Sequence, residues 1–491
     1  MVKKIKFSYL QGALLLIVLL TISRSQFLPL TSWILGYAII FITAREKDPL
    51  DARAWVFCAW GILFVNYFCG ILYIPPTIEF LFPISYILLV LCMFFIGYKR
   101  GTRDKAVDKA DKILSTFLSF KANPKLQKLM FMLGILACIG VAFAYIELIV
   151  IRGYSLDGGL RRDEFHNDLE SNDVNYKFSP LLIFGNIFLG GAFISALSTF
   201  FWGNKRNKIT GIFAIASVAL YSVLIAGKQG IFIGLLTVIF ALVLKNYYKV
   251  KVKLPVVAKL LIIIGSVCAF SYLLDLTNSR GGNIDFGDKL NQDNVSESFA
   301  EMGGKYIPVK LQNIFLDYVG GYYGNQIGCF SERWELDNYP EKYFIRVPRL
   351  LGPFVWVERQ IAKVFPLYYD IFDDNYSPAI ARNQTNGYYG LATWQTTIRS
   401  GISWYGLFGQ LIVVFFHGFY SRRLYEHIKK KPSFVSVHLC LLNSIALVYT
   451  IMMNFFGETC GTFALLILLI LTWKEYSARR EGRSFTLLQM Q

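Results

Sequence analysis

Apolar runs about as long as a bilayer is thick recur along this chain, and they decide its fold class before any single residue is weighed. A helix needs roughly 20 apolar residues to cross the hydrocarbon core. Hydrophobic residues make up 55% of the 491 positions and aromatic ones 16%, with a mean hydropathy of +0.44. The chain therefore reads as an all-α polytopic membrane protein. About twelve spans are predicted: Tyr9 to Thr21, Phe27 to Thr43, Ala54 to Ile74, Ile78 to Tyr98, Lys128 to Ile151, Pro180 to Trp202, Ile209 to Ala226, Ile231 to Leu244, Val256 to Leu274, Ile402 to Tyr420, Phe434 to Phe455 and Thr459 to Trp473. The first run follows Lys3, Lys4 and Lys6 without a small-residue cleavage site, so it is expected to be retained.

The connecting loops set the orientation. Lys3, Lys4 and Lys6, the loop from Lys99 to Lys128, "NKRNK" (Asn204 to Lys208), "KNYYKVKVK" (Lys245 to Lys253), "SRRLYEHIKKK" (Ser421 to Lys431) and the tail with Arg479, Arg480 and Arg483 all fall on one side. Short basic loops stay in the cytoplasm, so both termini are expected there. The net charge of +17 is then a signature of topology and of attraction to anionic lipid, not of nucleic acid. Within the Lys99 loop, Val107, Ala110, Ile113, Leu114 and Phe117 share one helical face, as in an interfacial helix lying on lipid.

Three units follow: residues 1–274 with nine spans and an outer loop at 152–179, an extracytoplasmic loop at 275–400, and residues 401–491 with the last three spans and a cytoplasmic tail. A loop of about 125 residues inside a membrane protein usually carries function. Seven of the eight cysteines (Cys58, Cys69, Cys92, Cys138, Cys268, Cys440, Cys460) lie in or beside spans and only Cys329 sits well out in a loop, which is no disulfide framework. Phosphate-loop, dinucleotide and His-Glu-x-x-His motifs are missing from the sequence.

Several cations fall near the outer ends of spans, at headgroup depth: Arg161, Arg162, Lys228, Arg280 and Arg399. Guanidinium matches phosphate oxygens with a bidentate fork and lysine with a point charge, so this depth suits the diphosphate of a lipid-linked substrate. Lys228 stands in "IAGKQGIFIGLL" between Gly227 and Gly230, whose amides are expected to form an anion nest. The alternative for Lys228 is an ion pair with Glu147 or Asp275. The long loop interleaves aromatics and amides in "LDYVGGYYGNQIGCF" and "NQTNGYYGLATWQTTIRSG", which points to sugar binding by Asp317, Tyr322, Tyr323, Asn325 and Trp394 or to an interfacial aromatic belt. His166 is the one histidine expected outside, which excludes a multi-histidine metal site. Asp370, Asp373 and Asp374 form an acidic cluster before Pro378 that reads as a turn.

"GLRRDEF" after the fifth span, "AGKQG" at a tight outer turn, "YVGGYYGN", and "NQTNGYYGLATWQTTIRSGISWYGLFGQLIVVFFHG" leading into the tenth span resemble the bacterial O-antigen, or oligosaccharide repeat-unit, polymerases (Wzy-type). The resemblance covers most of the chain in architecture. It implies a metal-independent, inverting glycosyltransferase without a cofactor, on the outer face of the bacterial inner membrane. Such an enzyme transfers a growing glycan from undecaprenyl diphosphate onto the non-reducing sugar of a lipid-linked repeat unit, alongside a chain-length regulator and a flippase. Relatives often carry arginine where this chain has Lys228.

Arg161, Lys228 and Arg280, with Arg162 and Arg399, are then expected on the departing diphosphate, and the base is sought among Asp163, Glu164 and His166, with Glu147 and Asp317 behind. An O-antigen ligase differs only in its acceptor. A lipid-linked oligosaccharide flippase is expected to show matched halves and ionisable groups at mid-depth, and a non-catalytic assembly scaffold is the third alternative.

Overall fold

The computed structural model describes residues 48–68, 81–102, 114, 117–118, 120–155, 164, 179–225, 229–250, 256, 260, 263–265, 267, 397–430, 432–451, 455 and 459–480. The first two predicted spans and the long loop up to residue 396 lie outside them. Among the described residues the regular elements are all helical: α1 (Ala52–Phe68), α2 (Leu81–Arg100), α3 (Pro124–Tyr145) with a π-helical extension (Ile146–Ile151), α4 (Pro180–Trp202), α5 (Lys205–Leu224), α6 (Gln229–Tyr247), α7 (Thr397–Lys430), α8 (Phe434–Tyr449) and α9 (Thr459–Arg480).

The helix starts are written in capping residues. Asn123 accepts from the Leu126 amide at 3.1 Å ahead of Pro124. Ser179 precedes Pro180 in the same way, Asn204 accepts from Asn207 at 2.9 Å, and Ser433 forms a reciprocal box with Ser436. Each cap satisfies an amide that the first helical turn leaves without a partner, and proline fits where no amide is needed. Among the described residues four helices are long and apolar enough to cross a membrane: Pro124–Ile151, Pro180–Trp202, Lys205–Leu224 and Gln229–Tyr247. The 23 residues of α4 rise about 34 Å, enough for a hydrocarbon core of about 30 Å. Large apolar side chains point out of the bundle, among them Val150, Leu220, Phe408 and Tyr420, the surface expected of a membrane protein.

Two apolar clusters hold the bundle together. The larger joins α3, α4, α5, α6, α8 and α9 around Phe193, Trp202 and Phe240, and the smaller joins α1, α2 and α7 around Val56, Ile87 and Phe94, with Leu447 of α8 reaching into it. Where lipid offers no hydrophobic drive for helix association, close backbone approach at small residues supplies the contact. A Cβ on Gly97 of α2 would overlap the Phe415 carbonyl, and one on Gly418 of α7 would overlap that of Phe94, so the two helices touch backbone to backbone.

The ends of the bundle differ. Asp48 and Asp51, Tyr98, Gln127, Trp202, Asn207, Tyr248 and Lys429 meet at one end through Lys429–Asp48, Tyr248–Ile428, Phe117–Tyr248, Phe117–Trp202 and Gln127–Trp202 contacts. The described parts of the basic segments "NKRNK", "KNYYKVKVK" and "SRRLYEHIKKK" therefore share one end.

Two expectations are corrected. Phe117 is not turned to lipid: it is fully buried against Phe120, Phe201, Trp202 and Tyr248, and its carbonyl accepts the Trp202 indole N–H at 2.8 Å, because Leu114, Phe117 and Phe120 pack into the bundle's own core. The predicted span Ile402 to Tyr420 is interrupted. Gly406 sits at φ 72° and ψ 172°, a conformation reserved in practice for glycine, and it divides α7 into a short first segment and a long second one. A Cβ on Gly401 would meet the Gln410 side chain at 2.5 Å, so the two segments fold back on each other.

Candidate functional site

The end of the bundle opposite the basic segments gathers the described parts of the predicted site. At the end of α3 the helix widens into a π turn, in which the Arg152 amide bonds the Glu147 carbonyl at 3.0 Å. Such turns often mark functional positions. The turn brings the Arg152 guanidinium onto the Glu147 carboxylate, with Nε at 2.9 Å and Nη2 at 2.8 Å from Oε1. Glu147 is buried, and a buried carboxylate needs such a partner. Of the two acids considered for Lys228, Glu147 is thus engaged by Arg152.

Just beyond, the Ser155 amide donates to Glu164 Oε2 at 2.9 Å. Glu164, one of the three candidate bases, thus accepts from the backbone nine residues before it. Arg152 and Ser155 were overlooked in the sequence because their partners stand five and nine positions away, outside the helical i, i+4 pattern.

On α6, Gln229 and Gly230 are the described remainder of "AGKQG". The nest expected of Gly230 is corrected: its amide donates to Ser222 Oγ of α5 at 2.6 Å and is spent there. A Cβ on Gly230 would also strike the Val218 carbonyl and Ser222 Oγ, so the glycine serves the close α5–α6 approach. The Gln229 carbonyl accepts from Tyr449 Oη of α8 at 2.9 Å. The next residue, Thr450, accepts at its carbonyl from the Thr397 amide at 2.9 Å, and its Oγ1 takes the Trp60 indole N–H at 2.8 Å. One two-residue stretch of α8's end thus ties "AGKQG" to the last motif of the long loop. The first segment of α7, which carries Arg399 in its first turn, is anchored by Ile398 and Ile402, both buried.

Arg161, Arg162, Asp163, His166, Lys228, Arg280, Asp317, Tyr322, Tyr323, Asn325 and Trp394 lie outside the described residues, as do Asp275 and the 370–374 acidic cluster. Among the described residues no group of three His, Cys, Asp or Glu side chains is arranged to hold a metal.

Two other polar sets have structural explanations. His438 Nε2 lies 2.8 Å from Ser198 Oγ, a spacing that suits a nucleophile and its base. Both residues are fully buried, though, and Nδ1 contacts the Phe434 carbonyl at 2.7 Å. The Ser198 hydroxyl donates to the Ile194 carbonyl one turn back, and His438 Nε2 reaches both Ser198 Oγ and that carbonyl, the latter at 3.2 Å, so the contact clamps α8 to α4. At the basic end, Asp48 accepts from Lys429 Nζ at 2.9 Å and Tyr425 Oη at 2.7 Å, and Asp51 pairs with Arg53 at 2.7 Å. Burial alone would raise the Asp48 carboxyl, but bonds from Lys429, Tyr425 and the Leu50 amide, with the Lys429 charge, carry it below its ordinary value. Burial dominates at Asp51 and lifts that carboxyl, against the Arg53 amide and the Arg422 charge.

No family model matches the chain, nor does any curated protein or solved structure.

Proposed function

We propose that this protein polymerises lipid-linked oligosaccharide repeat units on the outer face of a bacterial inner membrane, through about twelve spans with the basic end in the cytoplasm. The observation that carries the reading is a convergence. Glu164 of "GLRRDEF", Gln229 and Gly230 of "AGKQG", and Thr397 to Gly401 of the last loop motif all lie at the end of the bundle opposite the basic segments. Those stretches are far apart in the chain, and they belong to three of the four motifs on which the family resemblance rests.

In this reading Arg161, Arg162, Lys228, Arg280 and Arg399 neutralise the diphosphate of the donor. Asp163, Glu164 or His166 takes the proton from the attacking sugar hydroxyl, the new glycosidic bond forms with inversion, and the lipid diphosphate leaves with the bonding electrons. Asp317, Tyr322, Tyr323, Asn325 and Trp394 hold the sugars. The buried carboxylates also weigh against a transporter, which binds at mid-depth: among the described residues they are Asp51, Glu147 and Glu426, each near an end of the bundle, and the mid-helix His417 is taken up by Asn443 at 2.9 Å.

The test is incubation of the purified protein with one lipid-linked repeat unit, without added metal. A ladder of lipid-linked polymers is expected. A product that appears only when lipid A core is supplied as acceptor marks a ligase instead and overturns the proposal, as does no product at all from folded protein.

A further inference from the structure

At the basic end, α4, α5 and α6 enclose a groove of roughly 90 Å³ open to the side of the bundle. Leu197, Phe200, Ile215, Val238 and Leu242 wall it, and Lys208 is its one charged lining residue. Val238 and Leu242 are 42% and 46% exposed, so the groove faces outward among apolar side chains, where acyl chains lie.

The rim is built for negative charge. Residues 120–128, "FKANPKLQK", and 203–208, "GNKRNK", hold Lys121, Lys125, Lys128, Lys205, Arg206 and Lys208 and contain neither aspartate nor glutamate. The two segments are knotted together by Gln127. Its side chain donates to the Trp202 carbonyl at 2.6 Å and accepts from Asn207 Nδ2 at 2.6 Å, and its own carbonyl accepts from the same Asn207 nitrogen at 3.0 Å. Asn207 is buried, so the cations stand on a fixed platform. Lys121 and Lys208 are close enough for their like charges to act on each other. Arg206 lies 4.1 Å over the Phe131 ring, one wall of a second apolar recess with Met132, Ile135 and Leu136.

A cationic platform directly above apolar recesses matches one molecule with a phosphate head and hydrocarbon chains. We infer that this corner binds an anionic glycerophospholipid of the leaflet at the basic end, its phosphate against Lys205 and Lys208 and an acyl chain along the groove. A zwitterionic lipid brings its own ammonium to the lysines and is disfavoured. A soluble phosphate has no use for the groove. The site is separate from the proposed glycan chemistry, which occupies the opposite end.

The test uses the full-length protein in a neutral detergent, with native mass spectrometry reading the retention of phosphatidylglycerol against phosphatidylcholine supplied at equal concentration. Preferential retention of phosphatidylglycerol is expected, falling by about five-fold for each lysine removed in Lys205→Ala and Lys208→Ala. Ala196→Phe, which fills the groove, is expected to lower phosphatidylglycerol retention with both lysines present. Lys208→Met, which keeps the apolar stem, is expected to lose selectivity as Lys208→Ala does and guards against a packing defect in Lys208→Ala. Equal retention of the two lipids by the unaltered protein overturns the inference. So does unchanged selectivity in the double lysine variant, and inorganic phosphate displacing the lipid from Ala196→Phe and unaltered protein alike shows a head-group site without a lipid groove and overturns it too.

Discussion

Glu147 and Arg152 face each other across one π-helical turn, with the guanidinium donating at 2.9 Å to a buried carboxylate. In a regular α-helix residues five apart point to different sides, so the widened turn is what permits the pair. Arg152→Ala leaves Glu147 buried and uncompensated and is expected to destabilise the protein by about 3 kcal/mol. Adding Glu147→Gln removes the stranded charge and is expected to recover most of that loss. Thermal unfolding of the two variants in detergent checks this, and a double variant no more stable than Arg152→Ala would count against an ion-pair role.

Glu164 holds the Ser155 amide, and a glutamine oxygen accepts an amide as well as a carboxylate does. A general base, in contrast, must ionise. If Glu164 positions the loop, Glu164→Gln keeps most polymer formation, Glu164→Ala loses about tenfold, and Asp163→Asn or His166→Gln falls further. A glutamine variant as inactive as the alanine one assigns the base to Glu164 itself.

The spans were legible in the sequence where hydropathy and caps coincide. Pro180 to Trp202 agrees at both ends with the observed helix, because Ser179-Pro180 starts it and Gly203 stops it. The break at Gly406 was not legible, since a glycine amid apolar residues is common in membrane helices and only the observed φ of 72° distinguishes this one. The sharing of one end of the bundle by the basic segments was legible from their spacing between the apolar runs. The partners of Glu147 and Glu164 could not be read, because a π turn and a contact nine residues back leave no periodic trace.

Asp48 and Asp51 make opposite forecasts for acid stability. Asp48 titrates below its ordinary value in the folded protein, so its stabilisation is full above the unfolded pKa of about 4 and is lost as pH falls through the folded one. Asp51 is raised: its ionised form costs stability above that range, and the cost is relieved on acidification. In melting temperatures measured from pH 6 down to 3.5, Asp48→Asn is expected to lessen the acid-side loss, and Asp51→Asn, which keeps the acceptor for the Arg53 amide, is expected to deepen it. Identical pH profiles for the two variants would contradict the assignment.

Lys228 immediately precedes Gln229, whose carbonyl is tied to Tyr449, so its place in the chain is at the end where the loop motifs converge. Two of the supports first considered for it are taken: the Gly230 amide by Ser222 and the Glu147 carboxylate by Arg152. What remains is charge on a substrate or a pair with Asp275. A phosphate role requires positive charge more than shape, so Lys228→Arg is expected to keep substantial polymer formation while Lys228→Ala and Lys228→Gln lose most of it, in turnover as well as in lipid binding. A structural pair predicts instead that Lys228→Ala lowers the melting temperature and that Asp275→Asn restores both stability and activity. Adding Glu147→Gln to Lys228→Ala is expected to rescue neither, because Glu147 already has its arginine. Polymer ladders and melting curves for Lys228→Ala, alone and with each acid neutralised, separate these outcomes, and recovery of activity in the Asp275→Asn double variant is the result that removes Lys228 from the diphosphate site.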